Sequence, residues 1–242
     1  MNDSTARWGG LDCHLVDALP AGKSPRWLVF LAHGFGAPGD DLVPLADALL
    51  QGEPSLQDSI RFVFPEAPLS LEDEGIPGRA WWPLNLAKLQ SQLASGRFED
   101  VRQEKPPGLL EARSAIHAML RDACIATGVM PANCVLGGFS QGAMAMMDAT
   151  VSSPEPVGGI VLLSGAVVNE AAWKAGLAKQ PPIPVFQSHG RYDLVLPYIA
   201  GEWLRDVWTS EGRTVEFLPF DDGHTISWTV LKALGKFLHK LG

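Results

Sequence analysis

Ser140 stands at the centre of a glycine-flanked motif with the pattern G-x-S-x-G, residues 138–142. An apolar run, Cys134–Phe139, leads into the motif, and a segment of good helix formers follows it. This strand–turn–helix setting is typical of a nucleophile elbow, which exposes a serine hydroxyl at a helix N-terminus. The two glycines remove Cβ atoms where the strand and the helix meet. A glycine-rich turn with a capping serine is the alternative interpretation of the same residues.

A serine hydroxyl is a weak nucleophile, so it needs a base and an acid that orients the base. In enzymes with a nucleophile elbow these follow the serine in the order Ser, Asp or Glu, His. Asp193 follows an apolar run at residues 185–188, and His224 follows another at residues 215–220. The ends of parallel strands gather ligands at one edge of an open sheet. The sequence therefore predicts Ser140, Asp193 and His224 as a catalytic triad.

Other residues compete for the roles of base and acid. His33 precedes the serine, which is the wrong order for the base, and His189 is better interpreted as a turn residue beside Asp193. Asp221 and Asp222 lie so close to His224 along one loop that they are poorly placed to orient it. The alternative is that His224 only caps the last helix or lies on the surface.

Backbone N–H groups stabilise the oxyanion in such enzymes, one after the nucleophile and one from the loop after an earlier strand. Gln141 supplies the first. The segment His33-Gly34-Phe35-Gly36 follows the apolar run Trp27–Ala32 and can supply the second through Phe35. A simple glycine turn is the alternative there. No spacing of ligands predicts a metal site, and no nucleotide-binding loop is present, so no cofactor is expected.

Alternating strand and helix patterns position these residues. Buried parallel strands are predicted at 27–32, 60–64, 134–139, 159–163, 185–188 and 215–220, and helices at 41–50, 109–128 and 226–241. The segment around Leu11, Cys13 and Leu15 alternates with polar residues and predicts an antiparallel edge strand. The pattern indicates one α/β domain over residues 1–242, with a mostly parallel central sheet flanked by helices.

Residues 69–108 interrupt this alternation. The segment is rich in glycine and proline, shows no strand pattern, and predicts one short helix around Leu86, Leu89 and Leu93. A connection of this length without strands is either a lid-like, substrate-binding insertion or a mobile loop, and we expect the lid-like insertion. Trp81 and Trp82 lie in it, and they are predicted either to line an acyl groove or to pack into the core.

Composition excludes several function classes. The chain has 242 residues, 27 acidic and 19 basic, with a formal charge of −8, so a nucleic-acid partner is not expected. No apolar stretch is long enough to predict an integral membrane segment. Three cysteines without metal spacing, Cys13, Cys124 and Cys134, predict reduced thiols and a cytoplasmic location.

A set of short segments, in the same order along the chain, gives it a family resemblance over nearly its whole length. It resembles the carboxylesterase/phospholipase family of α/β-hydrolases, the branch that includes the acyl-protein thioesterases. The resemblance implies an α/β-hydrolase fold, a Ser140–Asp193–His224 triad and oxyanion donors at Phe35 and Gln141. The oxyanion loop departs from the more usual Leu-His-Gly-Leu-Gly at Ala32 and Phe35, which alters the acyl pocket. The segments that carry the resemblance are Leu31–Gly36, Gly39-Asp40-Asp41, Pro44-Leu45-Ala46, Arg79–Pro83, Gly137–Gly142, Ser164-Gly165, His189-Gly190-x-x-Asp193 with Pro197, and Gly223-His224.

We therefore expect a serine esterase that cleaves carboxylic esters of short to medium acyl chains through an acyl-enzyme, with a small-molecule or lipid ester as substrate. A lysophospholipase or an acyl-protein thioesterase is the alternative within the enzymes. A non-catalytic binding module on the same fold is the alternative outside them. Whether the chain forms a homodimer stays open.

Overall fold

The computed structural model describes residues 1–85, 88, 91, 92, 95 and 100–242. The short helix predicted around Leu86, Leu89 and Leu93 lies outside the described residues. The strands of the described part are β1 (Asn2–Trp8), β2 (Leu11–Asp17), β3 (Trp27–Ala32), β4 (Ile60–Pro65), β5 (Leu69–Ser70), β6 (Arg79–Ala80), β7 (Cys134–Phe139), β8 (Gly159–Leu163), β9 (Val185–Gly190) and β10 (Glu216–Phe220). Its α-helices are α1 (Pro44–Gly52), α2 (Asp100–Gln103), α3 (Leu109–Thr127), α4 (Gln141–Val151), α5 (Glu170–Leu177), α6 (Tyr198–Ser210) and α7 (Trp228–His239).

Eight strands form one central sheet in the order β1-β2-β4-β3-β7-β8-β9-β10. Strands β3, β4, β7, β8, β9 and β10 pair in parallel, whereas β1 and β2 join antiparallel at one side. The chain moves from β3 outward to β4 and later returns to place β7 on the other flank of β3. This change of direction between β3 and β7 is a topological switch point, where open α/β sheets bind ligands.

Helices cover both faces of the sheet because the parallel strands are apolar on both sides. Along β3, Leu28 and Phe30 face one core cluster, together with residues of α3, α4 and α5. The intervening Val29 and Leu31 face the second cluster, which includes residues of α1 and α7. The period of two along the strand thus divides its side chains between the two layers. The predicted mostly parallel α/β architecture is confirmed.

The predicted strands are found with bounds shifted by at most two residues, and the helices agree less closely. The helix predicted from residue 41 begins at Pro44, and the last helix begins at Trp228 after a cap by the Ser227 hydroxyl, which accepts a hydrogen bond from the Val230 N–H. Gly128 ends α3 with a φ of 75°, as a left-handed C-cap requires.

Two expectations about the sheet were wrong. The strand around Cys13 is antiparallel but is not an edge strand, because β1 pairs along its outer side. The β1 side chains are mostly polar and exposed, so they give no apolar alternation to detect. The segment 69–108 does contain strands: β5 and β6 pair as a short antiparallel hairpin. Two-residue strands are too short for any periodicity to predict.

The connections after β3, β7, β9 and β10 leave the sheet at one edge, the carboxyl edge of the parallel strands. They carry Phe35, Ser140, Asp193 and His224 respectively. Within the described part of the chain, no helix is long and apolar enough to cross a membrane.

Candidate active site

Ser140 occupies the sharp turn between β7 and α4. Its backbone has φ 55° and ψ −120°, a conformation that L-residues seldom adopt. The turn is held by the Ser140 N–H, which donates to the Leu163 carbonyl of β8 at 2.9 Å, and by the Ser140 carbonyl, which accepts from the Met144 N–H. The Ser140 side chain makes no capping hydrogen bond to α4. A strained backbone and a hydroxyl that does not cap the helix are the features of a nucleophile elbow.

The glycines on either side of the turn are required by close approach of the backbone. A Cβ at Gly138 would lie 2.6 Å from the Ala32 carbonyl oxygen, and one at Gly142 would lie 2.2 Å from the same atom. Both distances are far shorter than any real contact. The two glycines of the motif therefore let α4 start directly against the end of β3, as expected from the sequence.

Asp193 and His224 are in direct contact. The Nδ1 atom of His224 lies 2.6 Å from Oδ2 of Asp193, and the Asp193 side chain is fully buried. Because an ionised carboxylate only accepts, Nδ1 carries the proton of this bond and the Nε2 lone pair is left for another partner. The imidazole also packs on the ring of Phe139, with centroids 4.7 Å apart.

The Asp193 carboxylate is fixed by three donors. Its Oδ1 accepts from the N–H groups of Val195 and Leu196, each at 2.8 Å, while Oδ2 faces His224. Burial alone would raise the pKa of this carboxyl, but the hydrogen bond and charge of His224 and the two N–H groups outweigh it and lower the pKa below the usual aspartate value. Asp193 is thus ionised throughout the neutral pH range.

His189 contacts the loop that carries Asp193. It is fully buried, its Nε2 lies 2.8 Å from the Leu196 carbonyl oxygen, and the same nitrogen is 3.5 Å from Oδ2 of Asp193. Burial lowers the pKa of His189, so the ring is neutral and donates to that carbonyl. His189 lies beside Asp193 as predicted, but it belongs to strand β9 rather than to a turn.

The loop after β3 lies against the elbow. A Cβ at Gly34 would be 3.3 Å from the Ser140 Cβ, and Phe35 follows immediately. The Gly36 N–H is taken by the Arg79 carbonyl, whereas among the described residues no partner is found for the Phe35 N–H. The Gln141 N–H begins α4, where the first N–H groups have no partner within the helix. These two N–H groups are therefore available to a ligand beside Ser140.

Both ring nitrogens of His33 hold the loop that carries Phe35. Its Nε2 accepts from the Ala67 N–H at 3.0 Å, so Nδ1 carries the proton and donates to the Gly34 carbonyl at 2.8 Å. Burial lowers the pKa of His33, which keeps the ring neutral. Sequence reasoning had excluded His33 as the base but had not identified this role.

The Gln141 side chain links the elbow to the insertion, which sequence reasoning also missed. Its Oε1 accepts from the Trp81 N–H at 3.0 Å, and its Nε2 donates to the Trp82 carbonyl at 2.9 Å. The Trp81 indole in turn donates to the His33 carbonyl at 3.0 Å. A single buried amide gives no periodic signal in the sequence, so only the fold reveals this network.

A cavity of about 660 Å³ opens beside these residues. Ser140, Gln141, His224 and Phe35 line one side of it, and the insertion forms much of the rest with mainly apolar residues. Further lining residues from the insertion are Trp82, Pro83, Leu84, Val101, Pro106 and Pro107. The volume is in the range of small-molecule sites.

The two tryptophans differ. Trp82 lines the cavity but is only 2% exposed, whereas Trp81 is absent from the lining and is 1% exposed. Both belong to the core cluster. Trp81 therefore packs in the core, which is the second of its two predicted roles. The accessible apolar wall of the cavity is formed by partly exposed residues such as Leu84 and Met144.

The competing residues are engaged elsewhere. Asp221 pairs with Arg191 at 3.1 Å, and Asp222 accepts from the Gly223 N–H at 2.8 Å. The three remaining histidines bond to other parts of the chain: His14 to Glu66, His117 to the Ala149 carbonyl and His239 to Ser55. Among the residues that the structure describes, no group of acids, histidines and cysteines forms a candidate metal site.

Known proteins share this arrangement of elements. A family model described as phospholipase/carboxylesterase matches residues 18–242. Acyl-protein thioesterase 1 of Aspergillus fumigatus is 28% identical over 231 residues, covering 92% of this chain and 91% of that protein. Acyl-protein thioesterase 1 of Kluyveromyces lactis is 31% identical over 174 residues, covering 70% and 71%.

Solved structures agree with the sequence relatives. The crystal structure of esterase PE8 matches with a TM-score of 0.78 and 28% identity, and the match covers 100% of both chains. A carboxylesterase from Mesorhizobium loti, at 20% identity and a TM-score of 0.71, supports the fold. The chain thus has the α/β-hydrolase fold, belongs to the phospholipase/carboxylesterase family and is an ester hydrolase.

Proposed function

We propose that this ester hydrolase works through an acyl-enzyme formed on Ser140, with His224 as the base and Asp193 as the acid that orients it. The observation that carries the proposal is the 2.6 Å contact between Nδ1 of His224 and the buried Asp193, because His224 and Ser140 line the same cavity. In the neutral imidazole this contact places the proton on Nδ1 and leaves the lone pair on Nε2. A neutral Nε2 is the group that accepts the serine proton.

In the first half of the reaction, Ser140 Oγ attacks the ester carbonyl while His224 removes its proton. The tetrahedral oxyanion accepts hydrogen bonds from the N–H groups of Phe35 and Gln141, and His224 then returns the proton to the departing alcohol. In the second half, water attacks the acyl-enzyme while His224 removes its proton, and His224 then returns the proton to Ser140 Oγ as the carboxylic acid product leaves. Asp193 stays ionised and stabilises the imidazolium formed in each half.

Labelling with a fluorophosphonate tests the nucleophile. We expect one covalent adduct on Ser140, located by peptide mass spectrometry, because this reagent reacts with an activated serine. The His224→Ala variant, which lacks the proposed base, should be labelled much more slowly. A wild-type protein that stays unlabelled under conditions that label a reference esterase, or an adduct on another serine, would contradict the mechanism and favour a binding module.

The apolar wall predicts a preference for medium acyl chains. If the acyl chain of the substrate lies against Leu84 and Met144, each buried methylene contributes about 0.8 kcal/mol to the free energy of binding. Four additional methylenes then raise kcat/KM by up to about a hundredfold, since about 1.4 kcal/mol is tenfold and burial is incomplete. We expect octanoyl esters to exceed butyryl esters of the same alcohol accordingly, measured as the ratio of their kcat/KM values.

A matched pair of methionines provides the control. Met144 lines the cavity, whereas Met146 on the same helix is fully buried in the core and is absent from the lining. Met144→Ala should lower the octanoyl-to-butyryl ratio several-fold, and Met146→Ala should leave the ratio unchanged while lowering stability. Equal ratios in the two variants would show that the acyl chain does not lie along this wall.

Thioesters are a second candidate substrate class. The observation in their favour is that two of the relatives reported above are named acyl-protein thioesterase 1. The mechanism is the same for both classes, because only the leaving group changes from an alcohol to a thiol. Comparing an octanoyl thioester with an octanoyl ester distinguishes them, and a lysophospholipid in the same assay tests a phospholipid leaving group.

A further inference from the structure

The loop that carries Asp193 and the start of α6, the helix after it, expose an unusual cluster of apolar side chains. Tyr192 is 65% exposed, Leu194 91%, Val195 49% and Ile199 42%. Ten large apolar side chains are exposed in the described part of the chain, and these four fall within eight residues. Scattered apolar residues are normal on a surface, whereas a cluster marks a contact site. We call these four residues the rim.

The rim continues the apolar surface of the cavity. Val195 belongs to both, because it lines the cavity and is half exposed, and its neighbour Leu196 also lines the cavity. Val195 also donates its N–H to Asp193, the partner of His224. An acyl chain that enters beside His224 therefore passes from the rim to the cavity wall along one apolar path.

The charges around the mouth favour a neutral partner. Two bases beside the rim and the cavity are paired: Arg191, which precedes Tyr192, contacts Asp221 at 3.1 Å, and Lys88, which lines the cavity, contacts Glu104 at 2.6 Å. The whole chain has a formal charge of −8. Neither feature attracts an anionic surface, which selects clusters of unpaired bases. Tyr192 adds an aromatic ring with a polar end, a combination enriched where apolar and aqueous phases meet.

We propose that the rim inserts into the surface of aggregated neutral acyl esters, so that the enzyme hydrolyses a micellar ester faster than the same ester in free solution. The proposal rests on the proposed function, since it concerns how an acyl chain reaches that site. Contact removes the rim from water, and the acyl chain moves from the aggregate to the cavity without a separate exposure of its methylenes.

Two neutral substitutions test the rim without altering charge near His224. Leu194→Gln and Ile199→Gln replace an apolar side chain by a neutral polar one of comparable size, and neither residue lines the cavity. Ile125→Gln is the matched control, because Ile125 is 77% exposed near the end of α3. That helix ends just before β7 begins, at the opposite edge of the sheet from the mouth.

Kinetics use one substrate in two physical states. The rate on 1-monooctanoylglycerol is followed below and above its critical micelle concentration, with dissolved p-nitrophenyl butyrate as the reference. We expect the wild type and Ile125→Gln to show a rise in rate above that concentration. The rim variants should lose most of this rise in rate. For Leu194→Gln we expect the rise to fall about tenfold, since a buried leucine contributes about that factor to partitioning. The rates of the rim variants on the dissolved esters should not change.

The outcomes separate the two proposals. If the wild type hydrolyses neither dissolved ester, the proposed function fails. If it hydrolyses both but shows no rise at the micelle concentration, or if Leu194→Gln rises as the wild type does, the rim proposal is overturned while the proposed function stands.

Binding is measured with Ser140→Ala protein and vesicles of diether phosphatidylcholine, with or without an anionic diether lipid. We expect binding to neutral vesicles that Leu194→Gln weakens and Ile125→Gln does not. Binding that requires the anionic lipid would overturn the proposal. So would sedimentation showing that the rim substitutions convert a dimer to a monomer, because the rim would then cover a second copy of the chain.

Discussion

Ser140→Ala should remain folded and lose roughly 10⁴- to 10⁶-fold in kcat for ester hydrolysis, because the only nucleophile of the proposed mechanism is removed. The residual rate would come from binding and from the Phe35 and Gln141 N–H groups. Stability should change little, since the Ser140 side chain makes no capping hydrogen bond and alanine adopts the same strained backbone at similar cost. Steady-state rates and a urea unfolding curve measure both expectations.

Ser152→Ala is the matched control for this prediction. Ser152 caps the other end of α4, and its hydroxyl donates to the Asp148 carbonyl at 2.6 Å. Its replacement should cost about 1 kcal/mol of unfolding free energy and leave the rate within about twofold. A Ser140→Ala enzyme that retains more than a tenth of the wild-type rate, free of contaminating esterase, would exclude Ser140 as the nucleophile.

The parallel part of the sheet was predictable from the sequence because each buried strand is a short apolar run between turn residues. The run at Trp27–Ala32 and the run at Cys134–Phe139 match β3 and β7 residue for residue. Their ends also place Phe35 and Ser140 at one edge of the sheet. What periodicity could not predict is β1, whose polar side chains face solvent, and the two-residue strands β5 and β6.

The contacts that hold the candidate site together were less predictable than the residues that form it. Gln141 was identified only for its backbone N–H, yet its side chain joins the elbow to Trp81 and Trp82 by two hydrogen bonds. His33 was set aside as a base, yet its ring fixes the loop that carries Phe35. Such bonds connect segments far apart in the chain, and nothing in the local sequence records which backbone group a buried amide or imidazole will meet.

Asp193→Asn should lower kcat by about 10⁴-fold while leaving the fold intact. The carbonyl oxygen of the substituted amide can still accept from the Val195 and Leu196 N–H groups that now bind Oδ1. The amide nitrogen would then face Nδ1 of His224 as a donor, which favours the imidazole with its proton on Nε2. That tautomer cannot accept the proton of Ser140, so the base is lost although the imidazole remains in place. Steady-state rates on a dissolved ester measure the loss.

The stability of Asp193→Asn relative to the wild type should depend on pH. Because the pKa of Asp193 is lower in the folded chain than its ordinary value, its ionised form adds stability above about pH 4, and this is lost as the pH falls through the folded-state pKa. The difference in urea midpoint between wild type and Asp193→Asn should therefore narrow as the pH is lowered from about 6 to about 3. A difference that widens would contradict the stabilised carboxylate.

Asp222→Asn and Asp221→Asn complete the test, because these are the other carboxylates near His224 in sequence. Asp222 is exposed and accepts from the Gly223 N–H, and Asp221 pairs with Arg191, so neither is expected to hold the imidazole. Each variant should keep kcat within about threefold of the wild type. If Asp222→Asn lost several orders of magnitude while Asp193→Asn stayed active, the acid would belong to the loop of His224 itself, and the 2.6 Å contact with Asp193 would be structural rather than catalytic.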